Sequence, residues 1–332
     1  MHALATILSA PTEIAPIGSM AVWWARNLEV TAAARSPLEA AILGGYASDR
    51  AGYAFAAGYE AALRALVPDL PREEVVSLCV TERGGAHPAV IATRLSPSGG
   101  GKRELHGHKR WATMPAASGL LLVAATEGVT AEGRSALRLV RVSSSAPGVS
   151  VRAMPETPFA PEITHMDVVL EGVIVGEEAL LPGDGYMRYI KPFRTVEDIH
   201  VLAAALAYLV REARDSGLSR ALVDRLAAAL AGLAALAGWD ALAPETHVAL
   251  GGALSSARLL LGEVEVAWRR SESPANARWE RDRVLFGVAN GVREKRLSRA
   301  WEQLDALGGG VERVEGVGGV GGVRGAGDSG VS

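Results

Sequence analysis

The segment Leu105-His106-Gly107-His108-Lys109-Arg110-Trp111-Ala112-Thr113 decides how the chain is read, together with the apolar run Leu120-Leu121-Leu122-Val123-Ala124-Ala125-Thr126 that follows it. The run is short, uncharged and preceded by turn residues, so it reads as a buried strand. Trp111 and Thr113 stand two apart on a strand and are expected on one face. Upstream, Val80-Thr81-Glu82-Arg83-Gly84-Gly85-Ala86 ends a β-rich run, Val75–Glu82, in a Gly-Gly turn. Further strands are expected at Ala89–Leu95, Ala136–Ser143, Val149–Met154 and Met166–Val175, with Ser96–Lys102 as a hairpin loop of turn residues. Short strands at turn-punctuated spacing predict a small barrel or sandwich.

Helical sequence flanks this region. Ser36–Leu66 is rich in Ala and Leu, opens on the start signal Ser36-Pro37 and is closed by Pro68 and Pro71. Leu38, Ile42 and Tyr46 recur every four positions. After Leu181-Pro182-Gly183-Asp184-Gly185, helices are expected at Val196–Asp215, Ser219–Gly238, Thr246–Arg270 and Trp279–Leu304. Four long helices with short joints predict an antiparallel bundle. In the last helix Val284, Val288 and Val292, with Leu297, Ala300 and Leu304, form the stripe expected to face the bundle core. The mixed charges from Arg281 to Arg299 form a solvated face, some of whose arginines could meet a phosphate. The Gly-rich tail Gly308–Ser332 cannot bury enough apolar surface to order and is expected to be disordered. The chain is thus an α+β protein in four parts. Residues 1–74 are a helical segment, 75–185 the β domain, 186–306 a four-helix bundle and 307–332 the tail.

Composition excludes several classes. With 332 residues, 49% hydrophobic and 21% charged, the chain is neither mainly disordered nor fibrous. A net charge of −3 argues against a nucleic-acid grip by bulk positive charge. Cys79 is the single cysteine, so no intrachain disulfide and no multi-cysteine zinc site can form. The longest apolar stretches, Val201–Val210 and Leu226–Trp239, fall short of the roughly 18 residues that span a bilayer. No Lys or Arg precedes the short apolar run at the N-terminus, which weakens a reading as a secretory signal. A cytoplasmic protein is expected. His106 and His108 share a strand face and could ligate metal, but no third ligand is identifiable, so no metal site is expected. No G-x-S-x-G elbow is present, and Gly99-Gly100-Gly101-Lys102 lacks the spacing of a P-loop.

The Val80–Ala86 and Leu105–Thr113 segments together resemble the acyl-CoA dehydrogenase family, which carries T-E-x-G-x-G-S-D, then L-x-G-x-K-x-W-I-T, then an apolar strand. Val168–Tyr186 is similar to that family's closing β segment, and the resemblance covers roughly residues 40–305. It implies an acyl-CoA-dehydrogenase-like fold, with shortened N-terminal helices, a middle β domain and a C-terminal four-helix bundle. It implies bound FAD, with Thr81, Trp111 and Thr113 at the flavin ring, and removal of two hydrogens across the Cα–Cβ bond of an acyl thioester. It also implies an electron-accepting flavoprotein as partner and a homo-oligomer. Lys109 reads as a structural or solvated charge.

That reaction needs a carboxylate near the substrate Cα. The late G-G-x-G segment near which most of the family places it is absent here: Gly251-Gly252 runs into Ala-Leu-Ser. In a minority of the family the Glu stands at the start of the first bundle helix, where this chain has Glu197, the candidate base. A competing reading makes Thr195 an N-cap, Asp198 its capping-box partner and Glu197 a helix-dipole residue. The family's G-S-D is replaced by Ala86-His87-Pro88, and its R-x-x-F-G is only echoed by Arg211–Gly217. These departures support one alternative, a catalytically degenerate paralogue acting as a binding or assembly protein; a second, a flavin monooxygenase on the same fold, follows from the oxygen chemistry that the fold hosts in other family members.

Overall fold

The computed structural model describes residues 2–271 and 274–308; the tail beyond Gly308, expected to be disordered, lies outside the described residues. Four helices come first: α1 (His2–Ser9), α2 (Met20–Val30), α3 (Pro37–Tyr46) and α4 (Ala51–Leu66). Ser36 caps α3 as its sequence predicts, its hydroxyl accepting from the Glu39 N–H, with Pro37 in the first turn. The helix expected over Ser36–Leu66 is two helices. At the break, the Ser48 hydroxyl bonds back to the Gly44 carbonyl at 2.8 Å. The Asp49 carboxylate turns to the Ile17 N–H at 2.9 Å. Such short polar side chains offer the backbone an alternative to the helix.

Seven strands follow: β1 (Val76–Cys79), β2 (Arg94–Gly99), β3 (Lys102–Thr113), β4 (Leu120–Val129), β5 (Ser135–Ser143), β6 (Val149–Ala153) and β7 (His165–Gly176). They form one curled sheet in the order β1-β4-β2-β3-β7-β6, with β5 on the other edge of β4. β4 is apolar from Leu120 to Ala125 because both of its faces are covered there. Leu121, Val123 and Ala125 enter the core inside the curl, while Leu122 and Ala124 face the helices. The strand expected at Ala89–Leu95 starts only at Arg94. The Glu82 carboxylate takes the N–H groups of Ala92 and Thr93, so this stretch is tied to a turn instead of a neighbouring strand. Gly99, Gly100 and Gly101 all have positive φ, which only glycine adopts cheaply, and they close the β2–β3 hairpin.

A single π turn, Tyr186–Ile190, leads into α5 (Lys191–Asp215), then α6 (Arg220–Leu236), α7 (Pro244–Ser271), α8 (Pro274–Asp282) and α9 (Asn290–Gly308). α5 is long and largely buried, and packs on α3, α4, α6 and α7. The helix expected over Trp279–Leu304 is broken by a 3-10 turn at Arg283–Gly287. Asp282, fully buried, accepts the Ala160 N–H at 2.9 Å and anchors α8 to the β region. Past the turn the helix face has rotated. Val284 in the turn and Val288 and Val292 beyond it are exposed, so the expected stripe fails there and is buried only at Ala300, while Trp279 before the turn is buried as well. Trp279 packs edge-on against Trp268, with ring centres 6.3 Å apart. No helix among the described residues is long and apolar enough to cross a membrane.

Candidate functional site

The two sequence segments that prompted the reading are joined in space by a buried ion pair. Lys109 is fully buried and its Nζ lies 2.5 Å from Glu82 Oε1. Glu82 also accepts the Thr93 hydroxyl at 2.7 Å. Burial pushes the Glu82 carboxyl up, but the Lys109 charge and these donors outweigh it and hold it below the ordinary range. Lys109 is therefore structural and not solvated. The Arg110 N–H donates to the Thr81 carbonyl at 2.7 Å, which fixes Thr81 beside β3.

Next to this tie the strand is irregular. Lys109 pairs with Val168 and Ala112 with Met166, so between these pairs β3 carries Arg110 and Trp111 where β7 carries Asp167 alone. Trp111 takes the left-handed conformation at φ +57. This bulge cancels the simple alternation that placed Trp111 and Thr113 on one face. It leaves Ala112 and Thr113 buried and turns the Trp111 ring out, 49% exposed, with its edge toward the His165 ring 6.1 Å away. Both residues nonetheless border the same cavity.

That cavity, about 410 Å³, lies between the sheet and helices α4 and α5. Thr81, Trp111, Thr113 and Glu197 all line it. Its walls are otherwise mostly apolar, with Phe55 and Tyr59 from α4 and Phe193 from α5. Tyr59 is held by the Leu78 N–H, which donates to its Oη at 2.8 Å.

Two carboxylates line the cavity, and they differ. Asp198 accepts Arg293 Nη2 at 2.7 Å and Arg296 Nη2 at 2.5 Å, so its charge is engaged. Among the described residues Glu197 has one ion-pair partner, Arg194, 3.8 Å away. Burial pushes the Glu197 carboxyl up to about 7; Arg194 opposes this, Asp198 adds to it and Arg293 opposes it. Thr195 is not an N-cap: it is buried inside α5, which begins at Lys191. The capping-box reading of Asp198 falls with it. Glu197 sits in the second turn, facing the cavity.

His165 went unmarked in the sequence, because nothing in the order of residues sets one histidine at a strand start apart. It lines the cavity, and its Nδ1 is a buried nitrogen without a well-formed hydrogen bond. Burial lowers its affinity for a proton, partly offset by the Ile163 carbonyl. Phe55 and Tyr59 could have been found from their spacing of four on an expected helix. His106 and His108 are paired with carboxylates, Glu104 at 3.1 Å and Asp167 at 2.9 Å. Arg211, the echo of the family's cofactor arginine, is buried and donates to the Tyr46 and Ser48 carbonyls, a structural role. A larger cavity of about 520 Å³ opens between α7 and α9 but holds none of the four candidates. Its Arg258, Arg283 and Arg296 engage Asn290, Glu265 and Asp198.

No family model matches the sequence. No curated protein matches it either. Solved structures do. The butyryl-CoA dehydrogenase of Megasphaera elsdenii is 15% identical, covers 86% of this chain and 90% of its own, and superposes with a TM-score of 0.67. An FAD-dependent dehydrogenase is 14% identical over 92% of this chain and 96% of its own, with a TM-score of 0.63. A prolyl acyl carrier protein oxidase is 17% identical over 90% of this chain and 91% of its own, with a TM-score of 0.58. The match covers nearly the whole of these structures. The chain has the fold of the acyl-CoA dehydrogenases, at a low sequence identity to these structures.

Proposed function

We propose that the protein is an FAD-dependent oxidoreductase acting on the Cα–Cβ bond of an acyl thioester, with Glu197 as the base. The observation that carries this reading is the meeting of Glu197 with Thr81, Trp111 and Thr113 on one cavity, where Glu197 is the carboxylate not clamped by arginine.

The residues present fit a flavin ring. Trp111, Phe55 and Phe193 supply apolar and aromatic wall, and Thr81 and Thr113 supply hydroxyls. Bound flavin would supply the acceptor for the β-hydrogen and its electron pair. Glu197 takes the α-proton on its carboxylate. A base whose pKa lies near 7 is matched to operate at neutral pH, and its semi-apolar wall lets it hold the proton once taken. The thioester and an electron-accepting flavoprotein are the partners this chemistry requires. The exposed Leu259 and Val266 on α7 support a homo-oligomer assembled through the bundle, which light scattering would measure.

The test starts with the visible spectrum of the purified protein. A bound flavin, released by heat and identified as FAD, supports the pocket; a colourless protein that takes up no added FAD sinks the reading. With flavin in place, acyl-CoA thioesters are expected to bleach its absorption band. Glu197→Gln should keep the flavin and slow bleaching by about 10²–10⁴-fold, the usual worth of a general base. Unchanged bleaching would move the base to another residue.

A further inference from the structure

We infer that this site accepts only a short acyl group, of about three to five carbons, because the helices behind Glu197 are sealed backbone to backbone. The inference rests on reading the cavity as an acyl-thioester site. One turn beyond Glu197, the same face of α5 presents Val201, which forms part of the cavity wall. There α4 presents Gly58. A Cβ placed on Gly58 would stand 2.5 Å from Val201 Cα and 2.8 Å from the His200 carbonyl. These are main-chain atoms, so no rotamer change opens a passage. A turn further, Ala204 meets Gly45 of α3, and a Cβ on Gly45 would fall within 2.6 Å of Ala204 Cα. The α4–α5 seam at Gly58 and the α3–α5 seam at Gly45 therefore leave no room for a chain between the helices behind Val201.

The adjoining wall is made of rings held in place. Tyr59 is pinned by the Leu78 N–H. Phe193 meets Tyr59 edge-on at 6.1 Å, and Phe55 stacks on Tyr59 at 6.1 Å. The whole cavity, about 410 Å³, is at the low end of the range of roughly 300–1,000 Å³ for small-molecule sites. It has to hold a planar ring as well as the acyl group. A longer chain must part α4 from α5 or leave its tail in water, where it gains no burial.

The test compares binding of unreactive thioethers, S-butyl-CoA and S-octyl-CoA, to the intact protein by titration calorimetry. It is run beside turnover of butyryl-CoA and octanoyl-CoA. S-butyl-CoA should bind about 100-fold more tightly than S-octyl-CoA, a discrimination within reach of an apolar pocket with a backbone floor. Phe193→Ala and Phe55→Ala, which vacate the lateral walls, should shrink that ratio about tenfold. Equal or tighter binding of S-octyl-CoA by the wild-type protein overturns the inference, as does the failure of both thioethers to bind. The wild-type ratio decides alone if neither variant folds. Preferential binding of S-butyl-CoA without turnover of either thioester refutes the proposed reaction and leaves the size limit standing.

Discussion

Glu197 shows what burial does to one carboxyl. Its pKa is about 7 in the folded chain against an ordinary 4.5, so between those values the folded state binds more protons than the unfolded state. Stability therefore falls as pH rises from about 4.5 to about 7 and is level above that. Glu197→Gln removes this loss. The variant should match wild type at pH 4.5 and exceed it by on the order of 2 kcal/mol at pH 8, read from urea midpoints. Glu60, also pushed up to about 7 by burial, keeps its own share of the decline in both proteins. Lys109 is the opposite case, a buried charge whose partner is in place. Lys109→Met strands Glu82 and should cost about 3–5 kcal/mol in urea unfolding, while the double change with Glu82→Leu should recover most of it.

At the scale of elements, the site depends on two irregularities and one clamp. The bulge in β3 aims Trp111, and the 3-10 turn before α9 re-aims the last helix. The clamp is Asp198, which holds α9 to α5 through Arg293 and Arg296. Asp198→Asn removes the charge that both guanidiniums share and should cost about 3 kcal/mol. Amide exchange should quicken in α9 and remain slow in β4, whose faces are both buried and whose ladder does not depend on the clamp. Equal acceleration in both would show that α9 is not an independently opening element.

For the whole molecule, α4 is the element that joins the parts. Ala54 belongs to the helical core, and Tyr53, Ala56 and Tyr59 belong to the core between helices and sheet. The proposed cofactor cavity sits against this joint, so occupancy is expected to stabilise the entire fold and not one segment. FAD at 100 times its dissociation constant adds about 2.7 kcal/mol, which for a chain of this size raises the melting midpoint by about 4 °C. Trp111→Ala should remove most of that rise in a calorimetric scan; a wild-type midpoint unmoved by FAD contradicts the flavin reading.

The sequence by itself determined the order of helices, strands and bundle, because hydrophobic period and turn residues are local properties. β4 was legible from an uncharged run and the capping of α3 from Ser36-Pro37, while a resemblance carried on two short segments and a helix start nominated Thr81, Trp111, Thr113 and Glu197 as candidates. Only the tertiary structure decided the rest, since it turns on partners far apart in the chain. The break between α3 and α4 answers to Ile17, the late start of β2 to Glu82, and the rotation of α9 to a buried bond between Asp282 and Ala160. The same holds for the site. Residue order nominates Glu197, but the difference between it and Asp198 is set by where Arg293 and Arg296 come to rest, a hundred or so residues along the chain.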